Sequence, residues 1–335
     1  MQRTKLNFGK SPRNKFSWNG LPALAAVAIL FAACLPTRLM AQQQYQKTFS
    51  SAEEASNALF TATQNNDAKA LLDILGPDAE RIVYSGDDTQ DAADRANFVQ
   101  RYQDLHRLVG EPDGTTTLYI GAENWPTPIP LVKNGHSWYF DTSAAKKEIL
   151  YRRIGENEIS AIRICQELVA AEKEYYSTQH NQYAQKFFSD EGQHDGLYWK
   201  AAEGSTQSPI GPLVASAAVE GYTNTRNDSA TPYHGYYYRI LTQEKSASGA
   251  AKNYIIDGKM TGGFAFVAYP AEYRSSGVMT FIVDENGIVY QKDLGKQTAV
   301  LAKAMKGYSR DSTWQKQEAD QEQSADEQKG LGTPR

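Results

Sequence analysis

From residue 156 to 179 the chain reads ENEISAIRICQELVAAEKEYYSTQ. Ala161, Ile164, Cys165, Leu168, Ala171 and Tyr175 recur there on one helical face, with Ile162, Val169 and Tyr176 widening the stripe. A helix of that length with one apolar side must lie against something that covers it. The text downstream supplies strands: GYYYRIL, GGFAFVAYP, and the pair VMTFIV and IVYQK, separated by an Asp284-Glu285-Asn286-Gly287 turn. One long helix against an antiparallel sheet is an α+β layer.

Upstream the order is helices first, strands second. Ser51 with Glu54 three residues on forms a capping box before Ala55, Leu59 and Ala62. Asp67 caps AKALLDIL, which stops at Gly76-Pro77. ERIVYSG reads as a brief strand, followed by a helix through RANFVQRYQDLHRL. TTTLYIG and WPTPIPLVK then lead to Asn134-Gly135, a hairpin turn between IPLVK and HSWYF.

These patterns give two α+β domains, at about 48–150 and 151–310. The tail at 311–335 is polar, charged and short of apolar residues, and is expected to be disordered. Residues 1–41 read as a signal peptide. Arg3, Lys5, Lys10, Arg13 and Lys15 precede an apolar run from Leu21 to Leu35, and small residues end at Ala41. The run is shorter than the roughly 18 to 20 residues of a membrane span. Export to the periplasm or cell envelope is therefore expected, with no transmembrane segment in the mature chain. Cys34 after two alanines leaves a lipid-anchored form open.

Removal of residues 1–41 takes six basic residues and no acidic ones, so 35 Lys+Arg become 29 against 39 Asp+Glu, a net charge of −10. That balance excludes nucleic acid as the natural partner. Only Cys165 remains of the two cysteines, so no internal disulfide is available and the fold must rest on apolar burial.

No motif names a reaction. His180 and His194, with Asp190 and Asp195 nearby, lack any metal-site spacing. There is no G-x-S-x-G elbow, and Gly262-Gly263 precede a strand where a phosphate loop needs a helix. No cofactor and no metal are expected. Aromatic loops are the remaining candidates. PYHGYYYRIL places four tyrosines and His234 in ten residues, DGLYW adds Tyr198 and Trp199, and WPTPIP adds Trp125. As a strand, PYHGYYYRIL sends Tyr236, Tyr238 and Ile240 to one face and Tyr237 and Arg239 to the other. Loop rings of this kind either staple a loop to the body or await a partner. The leading expectation is a non-enzymatic binding or assembly module that contacts an envelope protein or cell-wall glycan through Tyr198, Trp199, Tyr233 and His234. The alternative is an isomerase-like or hydrolase-like enzyme with a pocket in the first domain, its acids and bases drawn from Tyr84, Tyr102, His106 and Asp141.

The helix-then-sheet order over about residues 48–143 is similar to the cone-shaped fold of nuclear-transport-factor-like proteins, which implies a pocket inside the first domain. NEISAIRICQELVAAEKEYYSTQHNQYA followed by GVMTFIVDENGIVYQ resembles the globular part of type IV pilins and secretion pseudopilins. Those continue the helix upstream into an apolar spine, whereas AAKKEILYRRIG is charged here, so filament assembly is not implied. The set GAENWPTPIPLVK, WYFDT, RRIGENE, DGLYW, PYHGYYYRIL and GVMTFIVDENGIVYQKDLG resembles the bacterial domain-of-unknown-function family 2950 over about residues 48–310. That resemblance implies exported proteins without an assigned activity.

Overall fold

The computed structural model describes residues 46–317, apart from 179–180, 203, 221, 223–230 and 246–250. The expected signal peptide with Cys34, and the tail beyond residue 317, lie outside the described residues. The chain is an α+β protein. Four helices come first: α1 (Ala52–Gln64), α2 (Ala68–Leu75), α3 (Glu80–Val83) and α4 (Asp88–Asp104). Ser51 caps α1 by accepting from the Glu54 N–H, while Glu54 reaches back to the Ser50 N–H, and Asp67 caps α2 through Ala70 N–H. An antiparallel sheet follows, built from β1 (His106–Gly110), β2 (Thr116–Ile120), β3 (Trp125–Pro126), β4 (Leu131–Asn134) and β5 (Ser137–Phe140), in the order β1-β2-β4-β5 with β3 also on β2. Phe49, Ala55, Leu71, Ile74, Leu131 and Phe140 form the core between helices and sheet.

Three local expectations change. The helix expected through RANFVQRYQDLHRL stops at Asp104, and His106, Arg107 and Leu108 open β1 because they pair with β2. ERIVYSG is not a strand. Pro77 opens a 3-10 turn that runs into α3, whose last carbonyls, at Arg81, Ile82 and Val83, accept from the side chains of Arg153 and Arg95. Those cationic caps come from residues distant in sequence. At the hairpin, Asn134 pairs with Ser137, so the turn residues are Gly135 and His136, and of these only Gly135 has positive φ, at 62°. That is the II′ pattern, with glycine first.

Helix α5 (Thr142–Thr178) has 37 residues and extends the expected helix upstream through the charged AAKKEILYRRIG, spanning about 55 Å at the helical rise. Residue 150 therefore falls inside a helix. Its first part packs beside α3, and its later part covers a second sheet. After α5 come α6 (Gly211–Val219) and the strands β6 (Tyr236–Leu241), β7 (Gln243–Lys245), β8 (Ala251–Asn253), β9 (Ile255–Ile256), β10 (Lys259–Met260), β11 (Ala265–Pro270), β12 (Met279–Asp284) and β13 (Tyr290–Asp293). The chain closes with α7 (Thr298–Ala304), β14 (Gly307–Tyr308) and β15 (Gln315–Lys316). The main sheet is antiparallel, in the order β15-β13-β12-β11-β6. Strands β9 and β10 pair with each other, and β14-β7-β8 form a small third sheet.

Both α5 and α7 pack on β11, every residue of which is buried, so neither face of that strand meets water. The stripe Ala161, Ile164, Cys165, Leu168, Ala171 and Tyr175 is buried throughout. Burial alone pushes the Cys165 thiol up to about 12. Thiol reagent should label native Cys165 at least a hundredfold more slowly than urea-unfolded protein. Equal rates would contradict this packing.

The expected disorder starts too early. Trp314 is buried beneath Lys292, whose ammonium lies 5.7 Å from the ring centroid, and β15 pairs with β13. A single ring with a two-residue strand carries residues 311–317 into the fold despite their polar text.

Candidate functional site

PYHGYYYRIL is a turn followed by a strand. Tyr233 and Tyr236 exchange backbone hydrogen bonds of 2.8 and 3.2 Å around His234 and Gly235, whose φ values are 49° and 70°. Two consecutive positive φ angles make a type I′ turn, a left-handed conformation that histidine adopts at some cost. Glycine is required at 235: a Cβ there would stand 2.5 Å from Asn157 Nδ2. In β6, Tyr236 is buried and donates to Met279 O, Tyr237 lies against Tyr269, and Arg239 Nη1 donates to Ala302 O and Lys303 O. Arg239 thus caps α7, and Tyr237 on the same face is half-buried against Tyr269.

The turn is fastened to the first half of the chain by Asp87. This carboxylate, 1% exposed, caps α4 through Gln90 N–H at 3.1 Å, and its Oδ2 accepts from Gly235 N–H and from the Tyr222 hydroxyl, each at 2.9 Å. The Tyr222 oxygen in turn accepts from His234 N–H at 3.3 Å. Nearby, Asn157 of α5 donates to Ser276 O, and Ser275 Oγ donates to the carbonyls of Arg81 and Tyr84.

Beside this clasp opens a cavity of about 870 Å³. Its floor is apolar, with Leu59, Leu71, Leu75, Ile120, Ile129 and Phe140 from the helices and the first sheet. Its polar wall comes from α4, with Asp91, Arg95 and Arg101, and from α5, with Arg153 and Asn157. Trp125, 51% exposed beneath the Arg101 guanidinium, also lines it, as do Glu220 and His234. Burial raises the Asp91 carboxyl above its ordinary range, opposed by hydrogen bonds from Ser85 and by the charges of Arg153 and Arg95. Burial likewise lowers the His234 imidazole, and it outweighs the attraction of Glu220, whose Oε2 lies 3.1 Å from Nε2. The Nε2 side of the ring faces the Glu220 carboxylate, which fixes the orientation of the imidazole at the cavity wall.

The aromatic candidates separate. His234 lines the cavity, and Tyr233 stands behind it, edge to face with Tyr222, its hydroxyl donating to Glu220 at 3.4 Å. Trp199, 6% exposed, stacks on His194 and donates Nε1–H to Thr206 O, while Tyr198 bridges to Phe188 through its backbone. Trp199 staples its loop. Among the described residues no ring contact joins Tyr198 or Trp199 to the His234 turn. Asp190 and Asp195 both hold Lys186 Nζ, at 2.7 and 2.6 Å, and His180 lies outside the described residues. Among the described residues no group of three metal-binding side chains assembles.

Of the enzyme candidates, Tyr84, Tyr102, His106 and Asp141 all stand off the cavity lining. Tyr102 is buried, with Phe60 and His106 stacked on it, its hydroxyl sharing a hydrogen bond with Ser56 Oγ and donating to Asn57 Oδ1. Asp141 accepts from the Ala144 N–H at the start of α5. Sequence reading missed Asp87, Arg95, Arg153 and Glu220. The His234-Gly235 dipeptide was the one available signal, as a turn with positive φ. Nothing in the text links residue 87 to residue 235.

The family model for a protein of unknown function (DUF2950) matches residues 46–317. No curated protein and no solved structure matches the chain.

Proposed function

The chain belongs to the DUF2950 family of proteins of unknown function, and from its geometry we propose that it is an exported, non-enzymatic binding module whose ligand occupies the cavity between α4 and α5. The observation that carries this reading is an open space of about 870 Å³ with an apolar floor and a polar wall. Small-molecule sites have that size and division, with a few polar groups fixing orientation above an apolar bed. Side chains would have closed such a space in a purely structural core. Export is supported by the basic start and the apolar run from Leu21 to Leu35.

Ala93 lies on the cavity lining and is exposed on α4, so a tryptophan there blocks the space without entering the core. Native mass spectrometry of protein recovered from its own envelope should find a retained small molecule on a chain that begins at or near Gln42. Ala93→Trp should lose the molecule while melting within about two degrees of the parent. Equal retention by both proteins, or by neither, would remove the cavity from consideration, and a chain that keeps Met1 would remove export.

One observation favours a second reading. The His234 imidazole, held at the cavity wall by Glu220, supports a reading in which it serves as a general base. An enzyme of this kind would show as a ligand recovered intact from His234→Gln and chemically altered from the parent.

A further inference from the structure

We infer that the ligand of this cavity is an anionic amphiphile, its apolar body on the floor formed by Leu59, Leu71 and Phe140 and its anionic head against the guanidinium groups of Arg95, Arg101 and Arg153. The inference rests on the cavity reading above and adds the chemical class of the occupant.

An unpaired guanidinium donor on the wall carries the argument. Of the carboxylates on the lining, Asp91 accepts from Ser85 N–H, Asp94 from Gln90 Nε2, Glu148 holds Arg152, and Glu220 receives His234 and Ser216. Glu156 is the remaining one and is exposed. The arginines divide in the same way. Arg152 is neutralised by Glu148, but Arg95, Arg101 and Arg153 have no carboxylate within ion-pair distance among the described residues. Their hydrogen bonds go to neutral oxygens: Arg153 to the carbonyls of Arg81 and Ile82, Arg101 Nε to Asn97 Oδ1, and Arg95 Nη1 to Val83 O at 3.5 Å.

Arg95 is the least satisfied of the three. Its Nε is buried with no partner among the described residues, and so is the hydroxyl of Thr127 elsewhere on the same lining. A guanidinium carries five N–H donors, and buried donors are ordinarily paired. Arg95 thus presents an unpaired buried guanidinium donor beside an apolar bed, and a carboxylate or phosphate is the partner that a guanidinium fork fits. The floor sets the other half of the molecule. A free inorganic anion would leave it in contact with water, whereas an alkyl chain covers it.

Titration calorimetry of the full chain with dodecyl phosphate, dodecanol and inorganic phosphate, all below micelle formation, separates the possibilities. Dodecyl phosphate should bind at least tenfold more tightly than either of the others. Arg95→Gln should weaken dodecyl phosphate at least tenfold and leave dodecanol unchanged, and Arg95→Lys should restore part of the loss. Arg101→Gln, on a half-buried side chain, gives the same comparison should Arg95→Gln fail to fold. Equal affinity for dodecanol and dodecyl phosphate would overturn the anionic head while keeping the cavity. Inorganic phosphate binding as tightly as dodecyl phosphate would overturn the apolar body. Binding of no probe, with Ala93→Trp indistinguishable from the parent, would overturn this inference together with the cavity reading.

Discussion

Asp87→Ala is expected to destabilise the protein by about 3–7 kcal/mol. Three contributions add. Loss of the α4 cap costs about 1 kcal/mol. The Tyr222 hydroxyl and the Gly235 N–H, both in buried hydrogen bonds to Asp87 Oδ2, would each lose their acceptor, at about 1–3 kcal/mol apiece. Asp87→Asn keeps a carbonyl oxygen that can accept from part of this set, so it should fall between parent and alanine variant. Tyr222→Phe should cost about 1–2 kcal/mol, because it removes a donor and leaves the carboxylate with two others. Urea unfolding of the four proteins gives the series, and hydrogen exchange at the 233–236 turn reports the clasp itself. A change below 1 kcal/mol for Asp87→Ala would show that the halves of the chain are held by other contacts.

Glu172→Gln is expected to stabilise the protein, and to do so only where pH is high enough. Glu172 lies on α5 with no exposure. Its Oε2 accepts from Ala184 N–H at 2.8 Å, while Oε1 has no partner among the described residues. Burial pushes the carboxyl up to about 8 from an ordinary value of 4.5. In the window between those values the folded chain keeps a proton that the unfolded chain has released, so folding stability falls as pH rises through it. At about 1.4 kcal/mol per pH unit, the loss attributable to this group between pH 5 and 8 reaches about 4 kcal/mol as an upper bound. Glutamine keeps the acceptor for Ala184 and carries no charge at any pH. The variant should therefore match the parent near pH 4.5 and exceed it by about 3 kcal/mol at pH 8. Urea midpoints of both proteins across that range decide it, and parallel pH profiles would place Glu172 in contact with water.

Local signals in the text determined much of this protein. The stripe from Ala161 to Tyr175 specified a one-sided helix because 3.6-residue periodicity is a property of the chain itself. The capping box at Ser51, the Asp67 cap and the glycine at 135 specified helix starts and a hairpin because their hydrogen bonds close within a few residues. An α+β fold was legible from the order of those pieces. Tertiary structure decided what reached across the sequence. ERIVYSG became a helix through carbonyl caps supplied by Arg95 and Arg153, and Trp314 ordered a polar segment by finding a buried seat. Asp87 fastened a turn 148 residues away. The candidate site belongs wholly to this second class. Its apolar floor reads as ordinary core in the text, and its arginines read as ordinary surface. A cavity is the space that packed elements fail to fill, and an unpaired buried donor is an acceptor missing at contact distance. Neither is a pattern along a chain, and both exist only once α4, α5 and the first sheet have taken their places.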